Sequence, residues 1–140
     1  MNKHNHDKQL VEQSKREKYL KKCWYKGIQF SSIFEVEVAK YLDQLNIKWI
    51  RNEKLFPTFI RGSIRYYMPD FILLGYNRPI YLETKGIFFN DFKKDKMYSA
   101  VKDNHLDWII VFSKEWKSNK KCVRYKIAKL IRDSRLTPVD

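Results

Sequence analysis

Asp70, Glu83 and Lys85 are spaced so that a short hairpin could bring two carboxylates and an ammonium group together. Residues 70–74 and 80–85 are apolar segments joined by a loop rich in turn formers, a pattern that predicts a β-hairpin. Side chains alternate along a strand, so Glu83 and Lys85 project from one face, and antiparallel pairing brings Asp70 near Glu83. Two close carboxylates form an oxygen-rich site suited to Mg²⁺. With the Lys85 ammonium group beside the metal, such a site can hydrolyse a phosphodiester.

Helices and strands alternate around these residues in the predicted secondary structure. Ser32 and Glu35 have the S-x-x-E spacing of a capping box, which predicts the start of a helix of about 14 residues. Asp107–Phe112 contains the continuous apolar run Trp-Ile-Ile-Val-Phe, which predicts a strand buried on both faces. The other predicted elements are strands at 48–56 and 59–67, interrupted at Pro57 and Gly62-Ser63, a lysine-rich helix at 91–104 and a helix at 122–133.

The composition predicts one packed domain. The 140 residues are 44% hydrophobic and 16% aromatic, which excludes the disordered classes, and the length leaves no room for two complete cores. No stretch approaches the roughly 18 apolar residues of a membrane span, and residues 1–8 are polar, so we expect neither a membrane partner nor secretion. Cys23 and Cys122 cannot form a disulfide framework and are typical of a reducing compartment, so the expected location is cytoplasmic.

The net charge of +13 is concentrated at the two ends of the sequence. Residues 1–30 carry eight basic and three acidic groups, residues 31–113 carry twelve and ten, and residues 114–135 carry nine and two. Such an excess favours phosphate contacts and predicts a nucleic-acid partner, although abundant lysine also keeps small domains soluble. We therefore expect a basic, partly ordered N-terminal arm at residues 1–30 and a domain at residues 31–140.

The acidic residues and Lys85 form a motif that resembles that of a known superfamily. Pro69-Asp70, a loop and Glu83-Thr84-Lys85 match the PD-(D/E)xK nuclease signature, with Glu35 in the place of the first acidic residue. Over residues 31–115 the chain is similar, more closely, to phage-type endonuclease I, a Holliday junction resolvase. The elements that recur in order are Ser32-Ile33-Phe34-Glu35, Asn46-Ile47-Lys48-Trp49, Pro57, Tyr67-x-Pro69-Asp70-Phe71, Leu82-Glu83-Thr84-Lys85-Gly86, the lysine-rich helix and Ile110-Val111-Phe112-Ser113. The basic arm is longer than the family's, and the segment after Lys117 does not match it.

The resemblance implies a restriction-endonuclease-like architecture, which is an α/β fold with a mixed central β-sheet flanked by helices. It also implies a strand-swapped homodimer, in which the chains exchange elements across a bridge strand at residues 59–65. Asp70 and Glu83 would ligate Mg²⁺, for which Mn²⁺ would substitute, with the Thr84 carbonyl as a further ligand.

Two more catalytic roles follow from the same resemblance. Glu35 would support the site, although it has a competing role in capping its own helix. Lys85 would orient the attacking water or stabilise the transition state. The residues expected to contact DNA are Lys21, Lys22, Lys93, Lys94, Lys96, Lys120, Lys121 and Arg124.

The expected function is that of a Mg²⁺-dependent endonuclease that resolves branched DNA such as Holliday junctions, encoded by a phage and acting in the host cytoplasm. One alternative is a duplex-specific homing or restriction-type endonuclease of the same superfamily. The other is a noncatalytic, basic DNA-binding protein. A decayed nuclease would have lost an acid or Lys85, and this chain retains them.

Overall fold

The chain divides after Tyr41 into two units in the computed structural model, which describes residues 3–86 and 90–139. The domain boundary predicted after residue 30 lies within the first unit. Among the described residues, no helix is long and apolar enough to cross a lipid bilayer.

A basic helix, α1 (Lys3–Lys22), occupies much of the first unit. The sequence predicted an only partly ordered arm here because no apolar stripe is present, and the helix indeed has no buried residue. Its composition explains the difference. Residues 3–22 contain neither Gly nor Pro and are rich in Lys, Glu, Gln and Leu, which are strong helix formers. Intrinsic propensity therefore predicts this helix where periodicity does not.

A short hairpin follows α1. Strands β1 (Trp24–Tyr25) and β2 (Ile28–Gln29) pair in antiparallel fashion. The two turn residues, Lys26 and Gly27, have positive φ angles of 51° and 75°. Positive φ at both positions belongs to the type I′ turn, which matches the twist of two-residue hairpins.

Helix α2 (Ile33–Gln44) begins where the capping box predicts. The Glu35 N–H donates to Ser32 Oγ at 3.1 Å, and the Glu35 carboxylate accepts from the Ser31 N–H at 2.9 Å. The first bond satisfies a backbone donor of the first helical turn, and the second satisfies the N–H of the residue just before the Ser32 N-cap. The capping role of Glu35 is therefore confirmed.

A four-stranded sheet forms the centre of the second unit. Its strands are β3 (Trp49–Arg51), β6 (Phe71–Leu73), β7 (Ile80–Lys85) and β8 (Asp107–Phe112), in the spatial order β3-β6-β7-β8. The first three strands are antiparallel and β8 is parallel to β7, so the predicted mixed sheet and the predicted β6–β7 hairpin are confirmed. The inner strands carry the core, since Phe71, Leu73, Ile80 and Leu82 are fully buried.

Helix α3 (Asp91–Asp103) lies between β7 and β8 in the chain, as the sequence predicted. The Asn90 side chain caps it by accepting from the Lys93 N–H at 2.8 Å. The hairpin of β4 (Phe56–Ile60) and β5 (Ser63–Tyr67) packs against this helix and forms a separate two-stranded sheet. Thr58 makes hydrogen bonds of 2.6 Å to Ser99 and 2.7 Å to Asp103 on α3.

The β4–β5 hairpin differs from the sequence prediction at Pro57. Pro57 lies within β4 rather than at a break, where its lack of an N–H is compatible with a two-stranded ribbon. Residues 59–65 turn back on themselves in this chain at Arg61 and Gly62, next to the bend predicted at Gly62-Ser63, and their role as a bridge to a second chain stays a prediction. Both turn residues have positive φ angles, 50° and 79°, as a two-residue turn of type I′ requires.

Strand β8 lies at the edge of the sheet and is not buried on both faces, so that prediction was wrong. Ile109 and Val111 are buried, whereas Trp108 and Ile110 on the alternate face are only half-buried. Helix α5 (Lys121–Asp133) packs against β8 and buries Val123 and Ile127, as predicted. The short helix α4 (Ser113–Ser118), which the sequence did not predict, lies between β8 and α5 in the chain.

Candidate active site

The β6–β7 pairing sets the positions of the two predicted metal-ligating acids. In the observed register Phe71 lies opposite Leu82, so the next pair toward the open end of the hairpin is Asp70 with Glu83. This is the antiparallel juxtaposition that the sequence predicts. The two carboxylates also interact electrostatically, because the Asp70 charge helps to raise the pKa of Glu83.

Glu83 is a buried carboxylate held at both oxygens. Only 3% of the residue is exposed. Its Oε1 lies 3.1 Å from Lys85 Nζ, and its Oε2 accepts a 2.8 Å hydrogen bond from the Tyr67 hydroxyl. Burial raises the pKa of Glu83 to about 7 and Asp70 adds to the increase, while Lys85 and Tyr67 oppose it. The predicted side-by-side placement of Glu83 and Lys85 on one strand face is confirmed.

Asp70 is fixed by Thr84, the residue between Glu83 and Lys85. The Thr84 backbone N–H and hydroxyl donate to the same Asp70 oxygen, Oδ2, at 2.7 and 2.8 Å. Burial raises the pKa of Asp70, whereas these hydrogen bonds and the positive charges of Lys85 and Arg51 oppose that increase. The Thr84 side chain therefore orients an acid, a role that the sequence did not assign to it.

The Pro69-Asp70 segment is anchored by Asn52, the residue that follows β3. The Asn52 side chain donates to the Pro69 carbonyl at 2.8 Å and to the Lys54 carbonyl at 3.0 Å, and the residue is 2% exposed. The Asn52 backbone N–H also donates to the Asp70 carbonyl at 3.0 Å. A buried amide that satisfies these groups fixes the backbone from which the Asp70 side chain projects.

Tyr67 and Trp108 extend the hydrogen-bonded network behind Glu83. The Trp108 indole N–H donates to the Tyr67 hydroxyl at 2.9 Å, and that hydroxyl donates onward to Glu83. Burial, assisted by the Glu83 charge, raises the pKa of Tyr67 above its ordinary value. The phenol is therefore protonated at neutral pH and is a hydrogen-bond donor.

The donor set of this site fits a hard divalent cation. Asp70 and Glu83 supply carboxylate oxygens, and the pKa of each is raised by burial, so a cation between them would relieve both desolvation and mutual repulsion. Among residues 3–86 and 90–139 there is no group of three or more His, Cys, Asp or Glu side chains that could hold a metal ion. A metal here would therefore take its remaining ligands from backbone carbonyls, water or phosphate oxygens, as Mg²⁺ commonly does.

Glu35 lies on α2 in the first unit, whereas the other three predicted catalytic residues lie in the second unit. Within its own unit its carboxylate accepts the Ser31 N–H described above. Its role in supporting the metal site stays a prediction.

A cavity of about 300 Å³ opens beside Glu83 and Lys85. Lys93 and Lys96 from α3, two of the residues predicted to contact DNA, line the same cavity. A phosphate entering it would meet three ammonium groups and a carboxylate. The structure thus brings part of the predicted DNA-binding set to the predicted catalytic residues.

The other predicted DNA-contacting residues lie on helix surfaces. Lys21 and Lys22 form the last turn of α1, and Lys94 is exposed on α3. Lys120, Lys121 and Arg124 are exposed around the start of α5. Their contact with DNA stays a prediction.

Sequence reasoning missed the side-chain contacts that four residues make within the site, namely Asn52, Tyr67, Thr84 and Trp108. Tyr67 stands two residues before Pro69 within the quoted motif, which is the one local signal that could have drawn attention to it. Asn52 and Trp108 act on residues 17 and 41 positions away, so no local spacing reveals them.

Comparison with known proteins identifies two phage enzymes that resemble this chain, although the chain matches no protein-family model. It is 36% identical over 92 residues to endonuclease I of Escherichia phage T7, a match that covers 63% of this chain and 60% of that protein. It is 33% identical over 95 residues to endodeoxyribonuclease 1 of Enterobacteria phage T3, which covers 68% of this chain and 60% of that protein. The chain thus spans about three fifths of the length of the relatives it matches.

Proposed function

From its relationship to phage endonuclease I, we propose that this chain is a metal-dependent DNA endonuclease that hydrolyses phosphodiester bonds. The observation that carries the proposal is the arrangement of the half-buried Asp70 and the buried Glu83, with Lys85 3.1 Å from the Glu83 carboxylate beside a lysine-lined cavity. The names of both relatives, and the positive charge of this chain, support DNA as the substrate.

The protein residues have separable roles in the proposed reaction. Asp70 and Glu83 would hold Mg²⁺ or Mn²⁺, which when bound supplies Lewis-acid polarisation of the phosphate and a more acidic water. Lys85 orients the attacking water or offsets the negative charge that develops on the phosphate. Lys93 and Lys96 draw the backbone phosphates into the cavity. Thr84 and Asn52 hold Asp70 in place through the bonds described above.

Within the endonucleases we propose branched DNA, such as a four-way junction, as the preferred substrate. The motif resemblance to phage-type junction resolvases supports this choice, and the phage origin of both relatives supports action in the host cytoplasm. A duplex-specific endonuclease would use the same catalytic residues. A noncatalytic DNA-binding protein is disfavoured because Asp70, Glu83 and Lys85 are all present and Lys85 contacts Glu83.

A homodimer is part of the proposal. The outer face of the β4–β5 hairpin carries Phe59, Ile64 and Tyr66, which are 67%, 63% and 56% exposed. A contiguous apolar strand face of this kind is typical of an interaction surface. Opening the turn at Arg61-Gly62 would let β4 and β5 pair between chains instead of within one. Two active sites in one dimer would match the two cuts that a junction requires.

A cleavage comparison tests the substrate proposal. The protein is given a four-way junction and a linear duplex of the same arm sequences, each with Mg²⁺, Mn²⁺ or EDTA. We expect metal-dependent cuts near the branch point and little cutting of the duplex. Equal cutting of both substrates would favour the duplex-specific alternative, and binding without cutting in either metal would contradict nuclease activity.

A further inference from the structure

We propose that Tyr67 is a positioning residue for Glu83, held in its own orientation by Trp108. The assignment rests on the proposed nuclease function. The three side chains come from different strands, β5, β7 and β8, and are joined by hydrogen bonds of 2.9 Å from Trp108 to Tyr67 and 2.8 Å from Tyr67 to Glu83.

The chemistry of the donors sets the direction of this chain of bonds. An indole N–H can only donate, so Trp108 occupies a lone pair of the Tyr67 oxygen. An ionised carboxylate can only accept, so the single hydroxyl proton of Tyr67 is directed at Glu83 Oε2. While Glu83 is ionised, as it would be with a cation bound, each group has one compatible role, and the Tyr67 hydroxyl cannot donate elsewhere without breaking its bond to Glu83.

Packing makes the Tyr67 ring a rigid support. Tyr67 is 5% exposed and belongs to a buried cluster with Met97 and Ala100 of α3. Trp108 packs against the same cluster and meets Tyr98 edge-to-face, with ring centroids 5.6 Å apart. The packing thus fixes the ring of Tyr67, and its hydroxyl in turn fixes one oxygen of Glu83.

The other oxygen of Glu83 is contacted by Lys85, whose role in the proposed reaction is toward water and phosphate. Tyr67 therefore holds the Glu83 carboxylate through a hydrogen bond that persists when Lys85 turns to the substrate. Without the Tyr67 hydroxyl, Oε2 would be deprived of this donor in a buried position, and the carboxylate could rotate away from the geometry that a metal ligand requires. This is a role in orientation, since Tyr67 acts through Glu83.

The test is a double-substitution cycle. Tyr67→Phe removes the hydroxyl, Trp108→Phe removes the indole N–H, and a third protein carries both changes. Tyr81→Phe, which deletes the hydroxyl of a buried tyrosine on β7, and Trp49→Phe, which deletes an indole N–H bonded to Asp43 at 2.9 Å, serve as matched controls. The readouts are the single-turnover rate of junction cleavage at saturating DNA, the Mg²⁺ concentration that gives half the maximal rate, and the Kd for junction DNA in EDTA.

We expect Tyr67→Phe to lower the cleavage rate, or raise the half-saturating Mg²⁺ concentration, by about 10- to 100-fold while changing the Kd for DNA less than about twofold. Trp108→Phe should act in the same direction but less strongly, because the tyrosine hydroxyl persists. The double variant should be no worse than Tyr67→Phe, since Trp108 acts through Tyr67. Both controls should cleave at the wild-type rate.

Two results would overturn the positioning role and leave the proposed nuclease function standing. One is cleavage by Tyr67→Phe with the rate and the Mg²⁺ dependence of the wild type. The other is additive effects of the two substitutions in the double variant. If Tyr67→Phe fails to fold by circular dichroism, Trp108→Phe decides, and a wild-type rate and Mg²⁺ dependence in that variant would overturn the role. Wild-type protein that cuts no DNA would overturn the proposed function and this inference with it.

Discussion

Thr84 donates two hydrogen bonds to a single oxygen of Asp70, one from its backbone N–H at 2.7 Å and one from its hydroxyl at 2.8 Å. The backbone donor is present whatever the side chain, whereas the hydroxyl bond depends on threonine or serine. Thr84 thus connects the two halves of the motif, because it lies between Glu83 and Lys85 while holding Asp70.

The Thr84 hydroxyl should therefore be needed for full activity. We expect Thr84→Val, which keeps the shape and removes the donor, to slow junction cleavage by roughly 10-fold, which corresponds to about 1.4 kcal/mol from a hydrogen bond to a charged carboxylate. Thr84→Ser restores the donor and should restore most of the rate. Single-turnover kinetics measure both. A serine variant as slow as the valine variant would show that the methyl group, and not the hydroxyl, matters.

The raised pKa of Glu83 predicts how stability depends on pH. In the unfolded chain the pKa is about 4.5 and in the folded chain about 7, so the folded state binds more protons between these values. Its contribution to stability is fully present below pH 4.5 and disappears as the pH rises through 7. Removing this titration with Glu83→Gln should stabilise the metal-free protein at pH 8, by about 1 to 3 kcal/mol, and much less at pH 5.

Urea unfolding in EDTA at the two pH values measures this difference, and the exposed Glu53→Gln serves as the control. Added Mg²⁺ should raise the stability of the wild type at pH 8 more than that of Glu83→Gln, because the ion binds the folded carboxylates. A Glu83→Gln protein less stable than wild type at pH 8 would contradict the assigned direction of the pKa shift.

Helix α1 should supply affinity for DNA. It has no buried residue, so a truncation that removes residues 1–22 takes away seven basic and three acidic groups without emptying a core position. We expect weaker junction binding and an unchanged metal requirement. The slope of the logarithm of the DNA association constant against the logarithm of the salt concentration should become shallower by about 0.9 for each phosphate that the truncated protein no longer neutralises.

A full-length variant separates the charge of α1 from its presence. Replacing Lys15, Arg16, Lys18, Lys21 and Lys22 by Gln keeps helix-forming residues at these positions and should reduce the salt slope by a similar amount. An unchanged slope in both proteins would exclude DNA contact by α1.

A strand-exchanged dimer would make each active site composite. In that arrangement the helix carrying Glu35 would serve the Asp70 and Glu83 of the other chain. Inactive Glu35→Ala and inactive Asp70→Ala subunits, unfolded and refolded together, should then recover nicking, because each heterodimer has one site with both lesions and one intact site. Paired cutting should stay impaired. No recovered nicking, or a monomer by light scattering at micromolar concentration, would contradict the exchange.

The local part of the site was predictable from the sequence. Period-two alternation places Glu83 and Lys85 on one face, and one hairpin with turn formers brings Asp70 to them, so both relations follow from short-range rules. The strand that follows the lysine-rich helix was predictable in the same way, from its continuous apolar run.

The supporting residues were not predictable because they depend on tertiary packing. The Trp108 indole reaches Tyr67 because β8 pairs beside β7 and because Trp108 packs against the cluster that Tyr67 of the β4–β5 hairpin forms with α3, a relation that neither strand encodes alone. Asn52 looks like an ordinary polar residue after a strand, yet its side chain is buried against Pro69. The half-covered face of β8 was missed because a continuous apolar run looks the same in a central strand and in an edge strand that packs against a helix.

The most direct test of the central claim is junction cleavage by Asp70→Asn in Mg²⁺, beside wild type and the exposed control Asp133→Asn. We predict that all three proteins bind the junction with similar Kd and that wild type and Asp133→Asn cut it with Mg²⁺ and not with EDTA. Asp70→Asn should cut roughly 1,000-fold more slowly, equivalent to about 4 kcal/mol less transition-state stabilisation. Cleavage by Asp70→Asn at the wild-type rate would contradict the assignment of Asp70 as a metal ligand of a nuclease.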